Sequence, residues 1–137
     1  MRLTSFTDYG LRALMRLAAD PERGRSTADL ADELQISRHH LTKILQRLAR
    51  AGIVTTRRGG GGGAVLAHPA GELQVGEIVR LLEEGPPLVE CFAPEGSDCT
   101  FIGSCRLKHR LRRAEAAFLA DLNRSTLADI AGPVGAE

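Results

Sequence analysis

Apolar positions in the first third of the chain step mostly by three and four residues. From Thr7 to about Ala19, Leu11, Leu14, Met15, Leu17 and Ala18 fall on one side of a predicted helix, because residues at that spacing share a helix face. Thr7 is its expected N-cap, and Asp8 follows in the first turn, where a carboxylate complements the helix dipole. Asp20, Pro21 and Gly24 end the element. A second helix, capped by Ser26 or Thr27, carries the stripe Ala28, Leu30, Ala31 and Leu34. After the turn Gln35-Ile36-Ser37, a third helix capped by Ser37 points Leu41, Ile44, Leu45 and Leu48 inward. It leaves Arg38, His39, Thr42, Lys43 and Gln46 outward. Two short helices joined by a tight turn, the second rich in side chains that reach a DNA groove, form a helix-turn-helix pattern.

The period then changes. Ile53-Val54-Thr55-Thr56-Arg57 has β-branched strand character, Gly59 to Gly63 are all glycine, and Ala64-Val65-Leu66 turns apolar again. Two short strands around a glycine-rich turn are expected. A basic-flanked hairpin directly behind a helix-turn-helix is a wing, and both elements then present cations to the same DNA backbone. Val75 to Glu84 returns to helical spacing and stops at Gly85-Pro86-Pro87. From Arg106, the residues Leu107, Leu111, Ala114, Phe118 and Leu122 form one stripe on a helix of about five turns. Such a stripe packs on its own domain or on its twin, and a symmetric dimer is the expectation. The predicted fold is mainly α: a winged helix-turn-helix DNA-binding domain (1–84), a cysteine loop (85–105), a long C-terminal dimerisation helix (106–130) and a flexible tail (131–137).

At 137 residues the chain supports one modest core and an appended element. Its formal charge is only +1, so any affinity for nucleic acid rests on how charge is distributed. Arg38, Lys43, Arg47, Arg50, Arg57 and Arg58 crowd one segment, and Arg106, Lys108, Arg110, Arg112 and Arg113 another. No stretch approaches the ~20 apolar residues of a membrane span. With no secretory leader pattern at the N-terminus, a cytoplasmic protein without a membrane partner is expected.

Cys91, Cys99 and Cys105 are the only cysteines, all in one loop with the pattern C-x7-C-x5-C, among Pro94, Gly96, Asp98 and Gly103. An odd number of thiols in a reducing compartment points to metal or redox chemistry rather than a disulfide scaffold. Three thiolates leave one position of a tetrahedral zinc site or an iron-sulfur cluster to another ligand. His109, four residues after Cys105, is one candidate. No base and orienting pair accompanies a reactive thiol, so an enzyme is not expected.

The opening Met1-Arg2-Leu3-Thr4, the run from Ile36 ending in Leu48-x-x-Ala51-Gly52-Ile53-Val54 and the wing Arg58-Gly59-x-x-Gly62-Gly63 form one set of motifs. Leu88-Val89-Glu90-Cys91, Cys105-Arg106-Leu107-Lys108, Ala117-Phe118 and Thr126-Leu127-Ala128-Asp129 form another. Together they make the chain similar to the winged-helix iron-sulfur regulators that include the NsrR, IscR and RirA repressors, from Met1 to about Ile130. Lys108 stands where the IscR type has a histidine ligand, and Asp8 stands where the NsrR type donates an aspartate from the other subunit. The resemblance is therefore greatest to the nitric-oxide-sensing branch. It implies a homodimeric repressor holding an iron-sulfur cluster, [4Fe-4S] with [2Fe-2S] as the alternative, on Cys91, Cys99, Cys105 and Asp8 of the partner subunit. Nitric oxide would release the DNA. The alternatives are an iron- or cluster-status regulator of the RirA or IscR type and a zinc-stabilised DNA-binding protein.

On the DNA side a dimer would place two recognition helices about 34 Å apart on a palindromic double-stranded operator. Ser37, Arg38, His39, Thr42 and Lys43 are the expected readers, with Arg38 and Lys43 long enough for guanine edges. Arg50, Arg57 and Arg58 are the expected phosphate contacts.

Overall fold

The computed structural model describes residues 2–60, 62–96, 98–101 and 104–132. Its elements are α1 (Ser5–Ala19), α2 (Thr27–Leu34), α3 (Arg38–Arg50), β1 (Val54–Arg57), β2 (Gly63–Leu66), α4 (Val75–Leu82), α5 (Arg106–Leu122) and α6 (Leu127–Ile130). Gly61, Gly103 and the end of the predicted tail from Pro133 lie outside the described residues.

α1 starts earlier than the apolar pattern predicts. Thr4, not Thr7, is the N-cap, and its side chain accepts the Thr7 N–H at 3.4 Å. Thr7 itself is fully buried within the first turn. Helix starts are set by a side-chain oxygen that can serve orphan N–H groups, and Thr4 does this about one turn before Thr7, the start that the apolar stripe predicts. The entry into α1 is also tied down from afar, because the Glu83 carboxylate accepts from the Thr4 N–H (3.0 Å) and Thr4 Oγ1 (3.2 Å). Burial alone would raise the Glu83 pKa. Hydrogen bonds from Thr7, Thr4 and the Gly85 N–H outweigh it and hold the carboxyl below its ordinary value.

The helix-turn-helix forms as the pattern predicts. Ser26 caps α2 through the Asp29 N–H (3.0 Å), and Ser37 caps α3 through the His40 N–H (3.0 Å). Between them Gln35 takes φ 57, and its N–H closes onto the end of α2. One core runs through all of these helices: Leu14 and Leu17 of α1, Leu30 of α2, Leu41, Ile44 and Leu48 of α3, and Ile78 and Leu82 of α4 are buried together. Each such side chain contributes roughly 1.5–3 kcal/mol on leaving water, far above the few tenths at stake in local propensity.

β1 and β2 pair antiparallel, with Val54 opposite Leu66 and Arg57 opposite Gly63. α4 stops at Leu82, short of the expected Glu84, because Glu83 turns to ψ 108 and its carboxylate is committed to Thr4. α5 packs on α4 at close range: a Cβ on Gly76 would lie 2.3 Å from the Leu119 carbonyl oxygen. The Asn123 side chain accepts the Glu77 N–H at 3.0 Å. Beyond it, Thr126 and Asp129 form a capping box on α6, and Leu127 is fully buried against the N-terminal core.

The apolar stripe of α5 divides. Leu111, Phe118 and Leu122 are half-buried, whereas Leu107 and Ala114 are exposed, and none of the helix's 17 residues is fully buried. Among the described residues no helix is long and apolar enough to cross a membrane.

Candidate functional site

The expected DNA-facing residues lie at the N-cap of α3, along α3 and on the wing. Ser37, Arg38, His39, Thr42, Lys43, Arg50, Arg57 and Arg58 are all exposed. The packing of Leu41, Ile44 and Leu48 into the core turns this opposite face of α3 outward. Not every polar group there is available. The Thr42 hydroxyl donates to the Arg38 carbonyl at 2.7 Å, leaving its lone pairs and methyl group for a ligand. Arg57 Nη1 donates to the Glu22 carbonyl at 2.8 Å, which keeps the turn end of β1 against the loop before α2.

His39 and His40 separate. His39 is exposed, while His40 turns inward, its ring 5.4 Å from Tyr9 and 6.0 Å from Phe6 of α1. His40 therefore belongs to the α1–α3 contact rather than to a solvent or DNA face. Arg47 is also drawn aside, stacked over Phe6 at 4.9 Å and paired with Glu84 at 2.9 Å. Periodicity alone could not separate these residues from their exposed neighbours, because the aromatic partners come from another helix.

The three cysteines meet around one concavity. Cys91, Cys99 and Cys105 line a cavity of about 250 Å³ with Val89, Glu90, Phe101, Leu107, Lys108 and Leu111. Cys91 sits in a short 3-10 turn, Glu90–Phe92, held against α5 by Arg112, whose guanidinium lies 4.2 Å above the Phe92 ring. Cys105 is the N-cap of α5, its Sγ accepting the Lys108 N–H at 3.3 Å. None of the three is in a disulfide. Among the described residues, no three His, Cys, Asp or Glu side chains stand close enough together to hold a metal ion, so the thiols share a wall rather than a finished coordination sphere.

The fourth-ligand candidates lie apart from that wall. His109 is exposed and does not line the cavity. Asp8 is on α1, in a bidentate contact with Arg12 (3.0 and 3.0 Å) that is about half exposed on both sides. It does not line the cavity of its own chain. Sequence reasoning missed the apolar wall: Leu88, Phe101 and Leu107 are the exposed large hydrophobics among the described residues, and Phe101 and Leu107 line the thiol cavity. Along the chain Leu88 and Phe101 are single apolar residues in a polar loop and Leu107 is one of the α5 stripe, so nothing local joins them beside the cysteines.

Over 131 residues the chain is 44% identical to the HTH-type transcriptional regulator NsrR of Geobacillus kaustophilus, spanning 95% of this chain and 89% of that protein. Among solved structures it resembles CymR (YrzC), the global cysteine regulator of B. subtilis, with a TM-score of 0.75, 28% identity and 96% of both chains covered. It shares the fold of T. potens IscR, with a TM-score of 0.76 at 24% identity over 95% of this chain and 85% of that one. The profile of the Rrf2 family, described as iron-dependent transcriptional regulators, matches residues 3–133. The chain belongs to the Rrf2 family of transcriptional regulators.

Proposed function

We propose that this protein is a homodimeric, DNA-binding transcriptional repressor that senses nitric oxide through an iron-sulfur cluster. The observation that carries the reading is the convergence of Cys91, Cys99 and Cys105 on one cavity in a chain that also has an exposed recognition helix and wing. The donor set suits the group: three soft sulfur ligands favour iron-sulfur or zinc over hard cations. When bound, the cluster supplies the iron with which nitric oxide reacts, and [4Fe-4S] is the form proposed.

Cys91, Cys99 and Cys105 would hold it, and Phe101, Leu107 and Leu111 would keep water from the cavity. Asp8 of the partner subunit is the proposed fourth ligand. Its ion pair with Arg12 does not compete seriously, because a pair this exposed is worth at most about 1 kcal/mol. A carboxylate is a harder and weaker ligand for such iron than thiolate, so Asp8 would be the most weakly held donor. Asp8 belongs to α1, and α1 packs on the recognition helix through Phe6, Tyr9 and His40. Losing Asp8 as a ligand therefore alters how two recognition helices are held over a palindromic operator.

The test is an anaerobic preparation whose visible spectrum, iron and sulfide are measured before nitric oxide is titrated against DNA binding. Binding should fall as the cluster absorption is lost. A colourless protein with one zinc per chain would end this reading. The family's description as iron-dependent favours one second reading, a regulator of iron status. It gains if nitric oxide leaves DNA binding intact while iron chelation abolishes it.

The DNA side makes its own prediction. Arg57→Ala is expected to weaken binding equally on operator and random duplex and to reduce the salt slope by about 1 for each phosphate no longer neutralised. Arg38→Ala is expected to change sequence preference instead, costing roughly 1–3 kcal/mol at the affected base pair. Equal losses on both duplexes for both variants would defeat the assignment.

A further inference from the structure

Glu33, in the last turn of α2, receives two arginines that neither the core nor the recognition helix requires. Arg25, bridged to Ala64 of β2, pairs with it, and Arg16 of α1 approaches it at 3.4 Å. A carboxylate near a helix C-terminus opposes the helix dipole, so Glu33 does not serve α2 itself. Its two cations are what make the position tolerable.

Arg25 is held twice. Its side chain is only 9% exposed and is committed to Glu33. Its main chain is committed to the wing: the Arg25 N–H donates to the Ala64 carbonyl (3.0 Å), and the Arg25 carbonyl accepts from the Ala64 N–H (2.8 Å). This bridge adds a one-residue third strand to the hairpin.

We propose that Glu33 is a positioning residue for the wing. Through Arg25 it fixes where the hairpin stands relative to α3, and so how Arg57 and Arg58 meet the DNA backbone. The inference rests on the DNA-binding reading above. Neutralising Glu33 leaves a guanidinium 9% exposed without its counter-charge, and an uncompensated desolvated cation is expensive to keep. Arg25 then moves toward solvent and carries its main-chain bridge to Ala64 with it. Glutamine keeps the size of the side chain and one acceptor, so α2 and the core are left alone.

Binding of Glu33→Gln to a mixed-sequence DNA duplex is compared with wild type, alone and on the Arg57→Ala/Arg58→Ala background. The single variant should bind about fivefold more weakly. On the background lacking both wing arginines the same change should cost less than about twofold, since a residue acting through the wing has nothing left to position. Hydrogen exchange at the Ala64 amide should quicken by roughly tenfold while the Leu14 amide stays slow. Arg25→Gln, which removes the cation instead of the anion, should give the same pattern. Unchanged affinity in Glu33→Gln, or an equal loss with and without the wing arginines, overturns the proposal. Failure of the wild-type protein to bind the duplex would instead sink the DNA-binding reading itself, and the proposal with it.

Discussion

Cys105→Ser protein, reconstituted anaerobically with iron and sulfide, is expected to come out colourless, with iron at background. The substitution is chosen because Cys105 has two roles. It caps α5 by accepting the Lys108 N–H, and it is one of three thiols on the cavity wall. Serine is a stronger N-cap than cysteine, so the helix start survives and thermal stability without metal should not fall. Only the thiolate is lost. A Cys105→Ser protein that takes up as much iron as wild type would remove Cys105 from the ligand set.

The same variant tests whether Asp8 is donated across the dimer. Mixing Asp8→Ala chains with Cys105→Ser chains gives hybrid dimers. If the aspartate comes from the partner, one of the two sites in each hybrid regains the full set, and iron in the isolated hybrids returns to about half of wild type, about a quarter in the unseparated equal mixture. If Asp8 serves its own chain, no site is complete and the hybrids stay empty.

Gly63→Ala is expected to break the wing. Gly63 has φ +125, and a Cβ built there would sit 2.5 Å from both the carbonyl carbon and oxygen of Arg25. Main chain cannot step aside as a flexible side-chain tip can. The strained backbone alone costs on the order of 1–3 kcal/mol, and displacing the Arg25–Ala64 bridge adds to it. A total near 3 kcal/mol corresponds to a Tm lower by roughly 10 °C for a domain of this size, with duplex binding lost as the hairpin detaches. Gly60→Ala is the internal control, because a Cβ there meets nothing within 4 Å. If both variants melt and bind alike, the close approach of β2 to Arg25 is not what holds the wing.

The helix-turn-helix was legible because its signals are local. Ser26 and Ser37 cap the helices they precede, and the inward residues of α3 are those at three- and four-residue spacing. The apolar stripe places the start of α1 at Thr7, too late by three residues, because the cap at Thr4 lies outside that stripe. Asp8 was legible as a candidate only through family likeness. In its own chain it has the look of an ordinary first-turn carboxylate paired with Arg12.

By itself the sequence determined the elements and their order as far as α5, the winged helix-turn-helix, the family and the three thiols, but it ran the last helix through 106–130, where the chain instead leaves α5 at Leu122 and starts α6 at Leu127. Each of these is written in spacing along the chain, and period, capping and motif spacing survive without tertiary context. The tertiary structure decided what depends on partners far apart in sequence. It turned His40 onto Tyr9 and Phe6 of α1 and drew Arg47 to Glu84. It returned Leu127 to the N-terminal core and divided the α5 stripe between α4 and solvent. It also gathered the three cysteines on one cavity and clipped the wing to the helices through Arg25 and Glu33. A side chain's direction is fixed by which surface it can bury against or which charge it can meet, and that surface exists only once the chain has folded.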